Sequence, residues 1–366
     1  LSYNTAIFWN VTPLLYGDSL IMMLNDDCLI HIFSFLSTRE RIKLSYMNER
    51  FKEIFKITNI RNKPVSLSNL TLMEIRFICR EFGQLIQEIN LECSDSLNRA
   101  PKYVTKYCFE LRSLYFTNLR IFENTKFRLL KNLTKISLRN CYITDDICFQ
   151  LSKLQNLNHL DVSNNCDLTG KHLKDFPELT HLNLCDCTGL KLGPILAFCS
   201  SKRIIENLKS LNLKSFYLRP RIFVKLALLK NLESLVVTSS IGFDLLPDIK
   251  KLKHLIIYVG TTNSQNQQLT GKCFTNLETL FIIPNDLFSP LKMDINLIFL
   301  MKNLKKLGKT PCITLLIEYI EARCFISKYQ ISSHLCIRAI DLQLNNNKKQ
   351  IKNCFFRLHK VYVEIF

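Results

Sequence analysis

Two hydrophobic rhythms divide the chain. From residue 86 onward apolar residues recur in the phrase L-x-x-L-x-L or a conservative variant: IQEINL (86–91), LRSLYF (111–116), LTKISL (133–138), LNHLDV (157–162), LTHLNL (179–184), LKSLNL (208–213), LESLVV (232–237), LKHLII (252–257) and LETLFI (277–282). Looser copies stand at 304–309, 337–342 and 358–363, and only the step from 304 to 337 is longer than the 20–29 residues that separate the others. A fixed period of this length marks stacked units, each too small to bury its own leucines. Within each phrase, positions 4 and 6 alternate with positions 3, 5 and 7, which predicts a short strand with its leucines inward and the odd positions outward. Ahead of the repeats the rhythm is helical. DDCLIHIFSFL (26–36), TRERIKLSYM (38–47) and NERFKEIF (48–55) predict three helices, the first capped by Asn25 or Asp26 and running through Leu36. That first helix is apolar nearly all round, with Leu29, Ile32, Phe33 and Leu36 sharing one face at helical spacing and Cys28 and Phe35 on another. One face can pack on the second and third helices, and the other calls for a partner.

The repeated phrase resembles the leucine-rich repeat family. Cys141, Asn165 and Cys187 each stand eight residues after the first apolar residue of their phrase. There the family places an Asn or Cys that bonds the backbone of its turn. ITDD (143–146), LTGKHL (168–173) and CTGL (187–190) are similar to the cysteine-containing subclass, in which a helix follows. Later repeats carry Phe216, Ser240 and Pro284 at or near the same position, so their turns are expected to be less regular. The resemblance implies a curved solenoid with one parallel sheet on its concave face and helices outside.

Residues 24–55 resemble the F-box, a helical module, through Leu24, Asp27, Leu29, the Ile32-Phe33-Ser34-Phe35-Leu36 run, Leu44, and Arg50-Phe51 before Glu53-Ile54. The sequence departs from that pattern at Asn25 and Ser37, where the family usually has proline, and at Asn48, often cysteine. In the family the apolar positions insert into the Skp-type adaptor of SCF ubiquitin ligases. The resemblance therefore implies adaptor contacts through Leu24, Asp27, Leu29, Ile32, Phe33, Leu36, Leu44 and Phe51. It also implies that Phe33→Ala combined with Leu36→Ala removes adaptor binding while the repeats stay folded.

The fold expected is α/β: a three-helix F-box over 22–60, a linker and solenoid cap over 61–84, and the solenoid over 85–366. Residues 1–21 are expected to be an unstructured or artefactual extension, with Met22 or Met23 the true start. The outward strand positions form two zones. Tyr115, Arg139, His159, Asp161, His181 and Lys214 give a polar half, and Val236, Ile256, Tyr258 and Phe281 an apolar half suited to a protein partner or covered by the C-terminal segment. Polar loops at 261–271 and 345–350 flank this second zone or extend it.

Composition narrows the function classes. Lys and Arg outnumber Asp and Glu by 49 to 31, a formal charge of +18, which fits a solvated basic surface or an acidic partner. The fifteen cysteines are odd in number and many occupy core-like positions, so they read as reduced thiols of a cytoplasmic or nuclear protein. No apolar run has the length of a membrane span, and no phosphate-binding glycine loop or nucleophile elbow occurs. His159, His181 and Asp161 come close on neighbouring strands but supply no closed zinc set. No cofactor is implied.

The resemblance thus implies a non-catalytic substrate receptor of a cullin-RING ubiquitin ligase, with the helices docking the adaptor and the repeats holding a target of unknown identity. The alternatives are a repeat scaffold that recruits no ligase and a nucleic-acid binder. The latter has only the basic charge in its favour, without a stacking motif or a recognised fold.

Overall fold

The computed structural model describes residues 20–60, 64–92, 97–122, 124–217, 220–239, 249–259, 276–284, 291–294, 306–308 and 313–316. The repeat phrases at 337–342 and 358–363, the loops at 261–271 and 345–350, Ser240, and residues 1–19 lie outside the described residues.

Three helices form the N-terminal module: α1 (Asp26–Phe35), α2 (Thr38–Ser45) and α3 (Glu49–Phe55). Each begins at one of the positions where the sequence departs from the family pattern. Asn25 Oδ1 accepts from Cys28 N at 2.9 Å, Ser37 and Glu40 form a reciprocal capping box, and Asn48 Oδ1 accepts from Phe51 N at 2.8 Å. Where a proline would fix the chain by restricting φ, these side chains fix it by satisfying the first free amides of the helix.

Behind the module runs a parallel sheet whose strands follow chain order. Its members are β1 (Val65–Ser66), β2 (Glu88–Glu92), β3 (Ser113–Thr117), β4 (Lys135–Arg139), β5 (His159–Asp161), β6 (His181–Asn183), β7 (Ser210–Tyr217), β8 (Ser234–Ser239), β9 (His254–Val259) and β10 (Thr279–Pro284). Beyond β10 lies β12 (Lys306–Gly308), while β11 (Leu291–Asp294) and β13 (Ile313–Leu316) pair with each other in a separate two-stranded sheet. Helices α4 (Leu72–Phe82), α5 (Ala100–Tyr107), α6 (Asp145–Leu151), α7 (Leu192–Cys199), α8 (Lys202–Asn207) and α9 (Pro220–Leu226) fill the connections. Burial alternates along the strands as the phrase requires: in β4, Ile136 and Leu138 are buried while Lys135 and Arg139 are exposed. This is a leucine-rich repeat solenoid, with its leucines packed toward the helices and its odd positions on the open face.

Val65 and Ser66 pair in parallel with Ile89 and Asn90, and α4 packs against α5, so residues 65–82, within the expected linker and solenoid cap, add the sheet's first strand and helix. The sheet's regularity lapses at β7, where the ladder with β8 shifts between Leu213 and Tyr217. That is the turn in which Phe216 replaces the expected Asn or Cys.

The turns are held by the predicted ladder. Asn165 is 1% exposed; its Oδ1 accepts from Cys141 N and Ile143 N, both at 2.9 Å. Its Nδ2 donates to Leu138 O at 2.8 Å and Val162 O at 2.7 Å. Cys187 Sγ donates to Val162 O at 3.1 Å. Each side chain thus ties its repeat to the preceding one as well as to its own turn. One position earlier runs a column not foreseen from the sequence. Asn69, Asn118, Asn140, Asn164, Asp186 and Ser215 all take positive φ, a conformation that Asn and Asp tolerate better than most residues.

All nine described cysteines are free, and six are buried. Burial pushes the thiols of Cys141 and Cys199 up to about 12, so they are packing groups rather than nucleophiles.

Candidate functional site

Two surfaces answer to the site residues expected from the sequence, one on the helical module and one on the sheet.

In the module, Leu29, Phe33 and Phe51 are buried. The Phe33 ring lies 5.8 Å from that of Phe51, within a cluster that includes Ile42, Ile54 and Phe55. These three side chains are the module's core and cannot also be its contact surface. A loss of binding in Phe33→Ala with Leu36→Ala would therefore report a damaged core as much as a lost contact. Ile32, Leu36, Leu24 and Leu44 are half-buried, and Asp27 is exposed. The residues left out are Cys28, His31 and Phe35, which share the outer face of α1 with Ile32; Phe35 is 76% exposed and stacks edge-on with His31 at 4.9 Å. Met23, just ahead of the helix, is 77% exposed. Arg50 fixes the entry to α1 by donating to Met22 O at 2.7 Å and to Leu24 O, and by pairing with Asp26 at 2.8 Å.

The module is joined firmly to the first repeat. Tyr46 and Phe77 stack at 3.9 Å, and Phe55 meets Phe82 at 5.3 Å. Arg39 pairs with Glu74 and Lys52 with Glu81, each at 3.1 Å. The ring contacts carry most of this junction, because partly exposed ion pairs contribute little.

On the sheet, every expected residue faces the open side. One register row runs Tyr115, Ser137, Asp161, Asn183, Asn212, Val236, Ile256, Phe281 across β3 to β10 without a break. Tyr258 and Ile283 are register partners beside it. The polar and apolar zones meet at Lys214, whose Nζ lies 3.5 Å from Asp186 and 4.9 Å from the centre of the Tyr258 ring.

His159 and His181 stack almost parallel at 3.9 Å and 10°. His181 Nδ1 lies 2.8 Å from Thr180 Oγ1. Parallel rings aim their nitrogens side by side instead of at one point, a poor start for a metal site. Burial first, then the neighbouring His181 and Lys135, lowers the His159 pKa to about 4, and burial with Lys209 and Lys135 lowers that of His181. The unfolded chain, with His159 near 6.5, therefore binds more protons than the folded chain between these values. The stability carried by the neutral pair is complete above pH 6.5 and is lost as pH falls toward 4. Urea midpoints measured from pH 7 to pH 4 are expected to drop across that window, and less steeply in His159→Gln; equal slopes would remove the pair as the cause.

Residues 21–63 match the F-box domain family. No curated protein matches the chain. Among solved structures, the yeast Rad7–Elc1 complex is 13% identical, with 92% of this chain and 90% of that chain covered at a TM-score of 0.48. An internalin, InlF, from Listeria monocytogenes is 17% identical, with coverages of 75% and 72% and a TM-score of 0.46. Internalin C2 of the same organism is 21% identical, with coverages of 56% and 75% and a TM-score of 0.35.

Among the described residues, no helix is long and apolar enough to cross a membrane, and no group of three His, Cys, Asp or Glu side chains is placed to hold a metal ion.

Proposed function

We propose that the chain is a substrate receptor of an SCF-type cullin-RING ubiquitin ligase, acting in the cytoplasm or nucleus. The observation that carries this reading is the outer face of α1: within the F-box match, an aromatic ring and its apolar neighbours are left uncovered by a module whose core is already complete. An apolar ridge of this kind suits a partner that closes over it, and F-box domains bind Skp-type adaptors. The sheet's open face then holds the target protein.

The mechanism is positional. Adaptor and target are bound on separate surfaces of one body whose junction is packed by Tyr46, Phe77, Phe55 and Phe82. A target lysine is thereby kept near the ubiquitin-loaded conjugating enzyme, which raises its effective concentration. The partners carry out the chemistry, and this chain supplies geometry.

Phe35→Lys together with Cys28→Asp, both at exposed positions and each matched to its end of the helix dipole, is expected to abolish co-purification of a Skp-type adaptor without lowering the melting temperature. Undiminished capture of the adaptor by a folded double variant removes the assignment and leaves a repeat scaffold that recruits no ligase.

A further inference from the structure

Past the strand rows, the end of β2 and the turns following β3 to β6 line a groove of about 520 Å³. Its lining includes Glu92, Thr117, Asn118, Arg139, Asn140 and Asp186. Glu92, Thr117 and Arg139 are register partners on β2, β3 and β4. The carboxylate and guanidinium columns therefore stand two strand spacings apart, about 9–10 Å. Asp186 is already engaged by Lys214 at 3.5 Å and by Ser215 Oγ. Glu92 and Arg139 have no ion-pair partner among the described residues. Between them, Asn140 Nδ2 donates to Asn118 Oδ1 at 2.8 Å, which leaves Asn140 Oδ1 and the Asn118 amide group for a ligand.

The charge pattern selects a class of ligand. With Asp186 engaged by Lys214, one guanidinium beside one uncommitted carboxylate offers no net positive charge to a dianionic phosphate or a nucleic-acid backbone, yet the guanidinium suits a single carboxylate bound side-on. Glu92, exposed and without an ion-pair partner among the described residues, suits a cationic side chain at the other end. An extended chain of the polyproline II type has three residues per turn and advances about 3.1 Å per residue, so two side chains three residues apart stand on one edge and span about 9 Å, close to the separation of the two columns.

We propose that this groove takes an unphosphorylated, extended segment of the target protein carrying a basic and an acidic side chain three residues apart, the former on Glu92 and the latter on Arg139. Asn118 and Asn140 then hydrogen-bond its backbone. This rests on the reading that the solenoid holds the target, and it adds what the target must display.

The test uses the full chain and immobilised decapeptides that differ only at two positions. They display Lys-x-x-Glu, Glu-x-x-Lys, Lys-x-x-Gln, Gln-x-x-Glu or Lys-x-x-phosphoserine. One of the two double-charge frames is expected to bind best. Arg139→Gln weakens that binding by roughly tenfold or more, the loss of one charge-assisted contact. The double variant Arg139→Glu with Glu92→Lys reverses the preference between the two frames. A preference for the phosphopeptide, an unchanged preference in the double variant, or no binding by any peptide overturns the proposal. Adaptor capture is measured in parallel on the same preparations. If it fails while the frame preference and its reversal hold, the ligase reading falls and the peptide specificity stands.

Discussion

Asn165→Ala is expected to destabilise the repeats by about 3–5 kcal/mol, because it strands two buried backbone donors and takes a donor from two carbonyls, of which Val162 O keeps Cys187 Sγ. The amides of Cys141 and Ile143 both give their hydrogens to Asn165 Oδ1 at 2.9 Å, and no water reaches a side chain that is 1% exposed. Repeat arrays transmit stability between neighbours, so the defect concentrates in the repeats either side of the lost ties, which join β4 and β5. Hydrogen exchange is the measurement that locates it: the amides of 141 and 143 lose protection first, ahead of those in β8 and β9. Asn165→Asp makes a sharper control. It keeps the acceptor but replaces the amide donor with a carboxylate facing Leu138 O and Val162 O, which Nδ2 now reaches at 2.8 and 2.7 Å. The Asp variant is therefore expected to be destabilised as well, with protection at 141 and 143 partly kept. An unchanged urea midpoint in the alanine variant would falsify the ladder as a source of stability.

The same residue shows why much of the solenoid was legible in its sequence. A leucine phrase of period two fixes which side chains point inward, and stacking at a constant interval fixes their register. Tyr115, Asp161, Val236, Ile256 and Phe281 consequently fall in one row as their phrase positions require. The first repeat escaped notice because its phrase, NKPVSL (62–67), lacks a leading leucine, although Val65 and Leu67 occupy the two inward positions and are buried. The groove residues were hidden for a different reason. Arg139 was named as an outward position, but Glu92, Asn118 and Asn140 gain their meaning from neighbours 22 to 47 residues away, through strand pairing and a shared turn. An Asn just past β1, β3, β4 and β5 is the available signal, and all four take positive φ.

In the helical module the sequence was ambiguous where the repeats were not, and Phe33 is the residue on which this turns. Both long faces of α1 are apolar, so spacing alone does not say which one is covered by the chain itself. Packing decides: Phe33 at 1% exposure meets Phe51, whereas Phe35, two residues on, is 76% exposed. Phe33→Ala is accordingly expected to destabilise the module by roughly 3–5 kcal/mol through lost burial and the cavity left behind. Phe35→Ala, by contrast, shifts stability by no more than about 0.5 kcal/mol. Urea unfolding followed by the exchange of α2 and α3 amides separates the two, and near-equal losses would show that the ring at 33 is not the core. The module rests on α4 through Tyr46 on Phe77 and Phe55 on Phe82, so its collapse also exposes one end of the first repeat. The two aromatic positions therefore divide the labour of one short helix: Phe33 makes the module fold, and Phe35 is left for whatever binds it.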